Sequence, residues 1–183
     1  MKRILLINGH EGYNKSKGNL NQTMLDEWKV QLEGSYELDT TIVDDGYDVE
    51  EEIEKWKQAD IILMQTPVYW FSIPGKFKQY IDQVFMDNIF FTGSDRYGHG
   101  GLFTNKEYML SFTWNAPESI FNNETAFYEG RSLDEAMLHL HKMNQYIGMK
   151  PLPTFSIHDV VKGTNMEHYK TKLRNHAVEV FGV

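Results

Sequence analysis

Arg3-Ile4-Leu5-Leu6-Ile7-Asn8, followed at once by Gly9, is the stretch on which the fold turns. An antiparallel strand with one wet face alternates apolar and polar residues, whereas a run this continuously apolar belongs to a strand covered on both faces, as in a parallel sheet. A parallel strand needs a crossover before its neighbour, and the next segment supplies one. Leu20, Met24, Trp28 and Leu32 recur at four-residue spacing, Leu25 widens the stripe into the buried face of a helix, and Gly34 closes it. The same beat then repeats. Residues 36–43 read as a strand, and Asp48 with Glu51 forms a capping box opening a helix faced by Val49, Ile53 and Trp56. Residues 61–64 form a second apolar run, Phe77, Tyr80, Ile81, Val84 and Phe85 mark a helix, and residues 108–112 a strand. Leu133, Ala136, Met137, Leu140 and Ile147 predict one further helix, residues 152–157 a last strand, and Tyr169, Leu173, Ala177 and Val180 a closing helix. The alternation predicts an α/β fold over residues 1–183 as one domain: a doubly wound five-stranded parallel sheet with helices on both faces.

Composition narrows the chemistry. The chain carries a net charge of -8, which disfavours nucleic acid and anionic membrane surfaces as partners. It has no cysteine, so thiolate nucleophiles, disulfides and zinc-thiolate sites are excluded, and any redox chemistry must come from a borrowed group. The apolar run after Arg3 is too short for a signal peptide or a membrane span, so a cytoplasmic protein without membrane insertion is expected.

In an open parallel sheet, ligands bind beyond the carboxyl ends of the strands, which points to the loops after strands one, three and four. The first, residues 9–18, leads into Ser16-Lys17-Gly18-Asn19-Leu20-Asn21-Gln22-Thr23 at a helix start, where free N–H groups suit a phosphate and Ser16, Asn19, Asn21 and Thr23 can add side-chain bonds. An ordinary connection whose Ser and Asn cap the helix fits the same residues. Neither the G-x-G-x-x-G nor the Walker pattern is present. The second loop places Tyr69, Trp70 and Phe71 beyond a strand end, aromatics that suit a flat cofactor or a neighbouring subunit. The third, Thr113-Trp114-Asn115-Ala116-Pro117, is another polar-aromatic turn, with Glu118 opening a helix. Before its strand lies Tyr97-Gly98-His99-Gly100-Gly101, whose glycines allow close backbone approach to a ligand. His139 and His141, two apart on a helix, point away from each other and read as surface or interface residues; with His10, His99, His158 and His168 scattered, no metal site is expected. The acidic run 50–54 reads as a solvated helix face.

These segments together resemble the modulator of drug activity B family. The resemblance is carried by Ile7-Asn8-Gly9-His10, residues 16–23, residues 66–82, Tyr97 to Gly101, residues 108–117 and residues 148–155, and it covers nearly the whole chain. It implies a flavodoxin-like NADPH:quinone reductase with FAD bound. The FAD pyrophosphate and adenosine are implied near Ser16, Gly18, Asn19, Leu20, Asn21 and Thr23. The flavin ring is implied between Pro67, Val68, Tyr69, Trp70, Phe71, Tyr97, Thr113, Trp114, Asn115 and Ala116, in a homodimer whose active site lies at the subunit boundary. This chain reads Tyr69-Trp70-Phe71 where relatives often carry Trp-Trp-Met, and its segment between Phe85 and Tyr97 is shorter than in some members. A two-electron ping-pong reaction follows, NADPH reducing the flavin and a quinone reoxidising it. Tyr128 is the candidate for orienting the acceptor, a packed or lid aromatic being the alternative. Azo- or nitro-compound reduction at the same site and a flavodoxin-type electron carrier remain alternatives. A receiver-type signalling domain is disfavoured, because it needs acidic residues where this chain has Asn8 and Gln65.

Overall fold

The computed structural model describes residues 1–13, 16–161, 163 and 165–183. β1 (Arg3–Asn8) lies inside one parallel sheet, between β2 (Glu37–Ile42) at the edge and β3 (Ile61–Pro67) at the centre, with β4 (Glu107–Thr113) beyond β3. Leu5 and Ile7 face one layer and Ile4 and Leu6 the other, which is why β1 is apolar at every interior position. On the first face Trp56, Phe77, Tyr80 and Leu140 pack from α2 (Val49–Gln58), α3 (Gly75–Val84) and α5 (Leu138–Tyr146). On the second, Met24, Trp28 and Leu173 pack from α1 (Asn19–Leu32) and α6 (Met166–Phe181).

The fifth sheet position departs from the expected single strand. It is filled by two short segments, β5 (Lys150–Pro151) and β6 (Phe155–Ile157), both parallel to β4. Pro153 between them has no N–H to give to a ladder, so pairing lapses and resumes. The expected helix around residues 133–147 is also divided, into α4 (Leu133–Ala136) and α5, because Met137 leaves helical geometry at φ -102 and ψ 20. Asp48 caps α2, accepting from the N–H groups of Glu50 and Glu51, but among the described residues the Glu51 side chain does not return the bond, so only half of the expected capping box forms.

Two surface readings are corrected. Glu52, within the acidic run, is 1% exposed and accepts from Thr41 Oγ1, Lys55 Nζ and Tyr80 OH, which satisfies a carboxylate that burial would otherwise penalise. His141 is buried, with Nδ1 2.9 Å from the Tyr108 hydroxyl and Nε2 3.2 Å from Asp134 Oδ1. Helical spacing separated His139 from His141 correctly, but His141 is the one that turns inward.

Sheet register sets up the site. Asn8 pairs with Gln65, and Gln65 with Ser111, so three apolar strands turn polar in the same row. Asn21 of α1 donates to Asn8 Oδ1 at 2.7 Å and accepts from Gln65 Nε2 at 2.9 Å, while Ser111 Oγ donates to Gln65 Oε1 at 2.6 Å. Trp28 Nε1 donates to Ser111 Oγ at 3.0 Å. A fully satisfied buried network of this kind fixes strand ends and helix start as one rigid floor.

Candidate functional site

The first loop rises from that floor. His10 is 6% exposed, its N–H donates to Asn8 Oδ1, and its Nε2 lies 3.2 Å from Ser16 Oγ. Burial lowers the His10 pKa against the opposing pull of Asp44 and Glu11, so the ring is neutral near pH 7. Ser16 Oγ is also 3.0 Å from the Tyr69 hydroxyl, which reaches the Glu11 carbonyl at 3.1 Å. The first loop is thereby tied to the second. Asn14 and Lys15 of this loop lie outside the described residues.

Gly18 opens α1 with φ +74, and a Cβ there would stand 2.4 Å from His10 Nδ1. Glycine is therefore required twice, by backbone conformation and by space. Among the described residues no side chain caps α1, and its first turn holds no acidic residue, so the N–H groups of Asn19, Leu20 and Asn21 find no partner there at the positive end of the helix dipole. The capping reading of the segment is thereby removed, since its described Ser and Asn do not cap the helix. The expected side-chain contributions are revised, however. Asn21 is consumed by the buried floor, and Thr23 Oγ1 donates to its own helix at Asn19 O, 2.8 Å away. Asn19 remains exposed, and a cavity of about 500 Å³ lined by His10, Ser16, Gly18, Leu20, Tyr69 and Asn115 lies over the helix start.

In the second loop, Val68 N–H still bonds Thr113 O, and Tyr69 and Ser72 exchange backbone bonds of 2.8 and 3.1 Å around Trp70 at φ 47 and Phe71 at φ 68. Both central residues sit where Asn and Gly are usual, a strain of order 1–3 kcal/mol per residue. Trp70 is 93% exposed; Phe71 stacks on Phe127 at 5.6 Å and 16° and meets Tyr128 edge-on at 6.5 Å. Tyr128 is half-buried and stacked on Phe121, and burial raises its hydroxyl pKa. Among the described residues that hydroxyl has no hydrogen-bond partner.

In the third loop Trp114, Asn115 and Ala116 line a cavity with Tyr69, Trp70 and Phe71, the tryptophan mostly covered. Trp114 is 6% exposed and packed among Phe121, Tyr128 and His158, so its ring supports the loop from behind. Asn115 Oδ1 accepts from Val161 N–H, and Ala116 O faces His158 Nδ1 at 3.0 Å. A carbonyl only accepts, so Nδ1 of His158 carries the proton and Nε2 accepts from Ser156 Oγ, 2.8 Å away. Glu118 opens only a short 3₁₀ turn, Glu118–Ile120. A second cavity of about 590 Å³ shares Tyr13, Val68, Tyr69 and Asn115 with the first, so the two form one groove from the start of α1 to Trp70 and Phe71.

Tyr97 is not brought into this groove; it stands 92% exposed at another cavity, beside Tyr146. The neighbouring glycines serve the chain itself. A Cβ on Gly100 would meet Thr92 O at 1.9 Å, and one on Gly101 would meet Gly148 N at 2.2 Å. Residues missed from sequence are His10 and His158, each immediately past the carboxyl end of a strand, and Phe127. Strand-end position was the available signal for both histidines. No group of three or more His, Asp or Glu side chains among the described residues could hold a metal ion.

The family described as flavodoxin-like fold matches residues 2–179. The chain is 37% identical to NADPH:quinone oxidoreductase MdaB of Haemophilus influenzae over 98% of its own length and 99% of that protein. Among solved structures it matches an NADPH-quinone reductase from P. pentosaceus with a TM-score of 0.70 at 20% identity, covering 100% of this chain and 99% of that one. It also matches general stress protein 14 from Treponema denticola, solved in complex with FMN, with a TM-score of 0.74 at 18% identity, covering 100% and 99%.

Proposed function

Belonging as it does to the flavodoxin-like fold family and, within it, to the family of the Haemophilus oxidoreductase, the chain is, we propose, a flavin-dependent NADPH:quinone oxidoreductase with FAD as its flavin. The observation that carries this reading is the groove itself: an uncapped helix start at one end and an aromatic turn at the other, joined through Tyr69 and Asn115. The fit is chemical. Unsatisfied amides of Asn19, Leu20 and Asn21 take a phosphate, and the walls from Pro67 to Tyr69 and from Thr113 to Ala116 offer backbone groups to the polar edge of a ring.

The chemistry a bound flavin supplies is reversible hydride acceptance, which lets donor and acceptor react in turn at one site. The residues do the rest. Ser16 and the α1 amides anchor the phosphate, while the Asn8, Asn21, Gln65 and Ser111 floor keeps those groups from shifting. Phe71, Phe127 and Tyr128 give the turn an apolar wall. Tyr128, kept protonated by its raised pKa, orients the acceptor through its free hydroxyl. Exposed Trp70, Phe71, Phe127 and Leu138 form an apolar surface that supports a homodimer closing over the site. No helix among the described residues is long and apolar enough to cross a membrane.

The test is direct. The purified protein is expected to be yellow, to release FAD and not FMN on denaturation, and to bleach under anaerobic NADPH and recover with a quinone. A colourless protein that fails to take up added FAD overturns the proposal. A coloured protein that NADPH does not bleach is an electron carrier instead.

A further inference from the structure

A cavity of about 630 Å³ lies between the segment carrying Tyr97 and His99 and the face of α5, outside the groove. One bond joins the two. Ser72, which closes the strained turn, places Oγ 3.2 Å from Nε2 of His139 on the cavity wall. That wall combines His99, His139 and Lys142 with the rings of Tyr97 and Tyr146, whose centroids are 5.8 Å apart, and no Asp or Glu lines it. One lysine, Lys142, therefore stands on a wall without a carboxylate in a chain of net charge -8.

The positive charge is also uncompensated. Lys55, Lys76 and Lys172 each meet a carboxylate, at 2.6, 2.5 and 2.8 Å. Among the described residues Lys142 Nζ meets only the neutral Gln145 Oε1, at 2.9 Å. The acids of the adjoining α4 are already engaged, Asp134 with His141 and Glu135 with the Ser132 cap. Asp95, on the opposite segment, is followed directly by Arg96. The wall is held rigidly: Gly101 packs backbone to backbone on Gly148, Phe103 N–H bonds Ile147 O at 2.9 Å, and Thr92 N–H bonds Gly100 O at 2.8 Å. An exposed pair of aromatic rings beside an ammonium without a carboxylate partner matches a flat base bearing a phosphate monoester.

We propose that this cavity binds the phosphate-bearing adenosine end of the nicotinamide donor, with Lys142 as the contact to the 2′-phosphate. The assignment rests on the reductase reading above, since the donor's other end must reach the groove that the Ser72 and His139 pair borders. Lys142 is thereby a specificity-determining residue, selecting NADPH over NADH.

Calorimetric titration of the purified protein with 2′,5′-ADP and with 5′-AMP tests this without turnover. The wild type is expected to bind 2′,5′-ADP the more tightly. Lys142→Glu, a change at an exposed position, is expected to lower the affinity ratio between the two ligands about ten-fold or more, while Lys142→Arg retains it. Equal affinity for the two ligands, no binding, or a ratio indifferent to Lys142→Glu overturns the assignment. The two readings separate cleanly. Binding of 2′,5′-ADP that depends on Lys142, in a protein NADPH cannot reduce, upholds the cavity and sinks the reductase. Lys142→Glu with its ratio intact and NADPH turnover undiminished sinks the cavity alone.

Discussion

At the α1 end of the groove nearly every polar side chain is already engaged with another, whereas at the Tyr69 to Ser72 end large rings stand in water on a backbone held in an unfavoured conformation. The first region offers a ligand only backbone amides and a hydroxyl, all fixed before it arrives. The second offers area and adaptable rings, fixed by little except the Phe71 and Phe127 stack. The difference teaches where selectivity can reside: an invariant phosphate suits a preorganised floor, and acceptors of varied shape suit a wall that can rearrange.

The sharpest way to break the comparison is to spoil the rigid end. Gly18→Val forces a β-branched residue to φ +74 against the His10 ring, and a stability loss of about 4 kcal/mol with loss of bound flavin is expected by urea denaturation and flavin absorbance. Asn21→Leu comes next. It strands Gln65 Nε2 in a dry interior and takes one of two donors from Asn8 Oδ1, which keeps only the His10 N–H, and roughly 2–3 kcal/mol should be lost, with flavin binding weakened through the displaced helix start. If Asn21→Leu left melting unchanged, the floor would not be rigid in the sense argued.

At the other end the signs differ. Phe71→Asn places at φ 68 a residue that tolerates it, so stability should change by less than about 1 kcal/mol or rise slightly. Its quinone KM should nevertheless increase several-fold, because the stack on Phe127 is gone; unchanged kinetics would remove this wall from the site. Acidification gives the smallest effect. Burial holds the folded-state pKa values of His10, His139, His158 and His176 below 6.5. The unfolded chain therefore binds protons first, so stability is complete above about pH 6.5 and declines as pH falls through the folded values. His158→Gln should flatten that decline in a plot of Tm against pH.

Much of this was legible beforehand for a physical reason. Strands covered on both faces and helices with one apolar stripe write their periods directly into the sequence, so Arg3–Asn8 was readable at both ends and the start of α1 was placed where an uncapped helix lies. What escaped depended on contacts distant in sequence. Whether Asn21 faces a ligand or the floor is decided by Asn8 and Gln65; whether Glu52 is wet is decided by Thr41 and Tyr80. Gly101 of the Tyr97 segment read as room for a ligand because its true neighbour, Gly148, lies far along the chain. The split of the last strand was written at Pro153, but a short run of apolar residues hides such a lapse in pairing.

The exposed turn also makes the molecule report on itself. Trp28 and Trp56 are fully buried and Trp114 nearly so, while Trp70 is 93% exposed at the tip of the groove. In a free protomer a dissolved collisional quencher such as iodide reaches only that indole, so the quenchable part of the intrinsic fluorescence belongs to one residue and falls as a second copy covers it. Its change as ligands are added gives a label-free signal from the mouth of the groove.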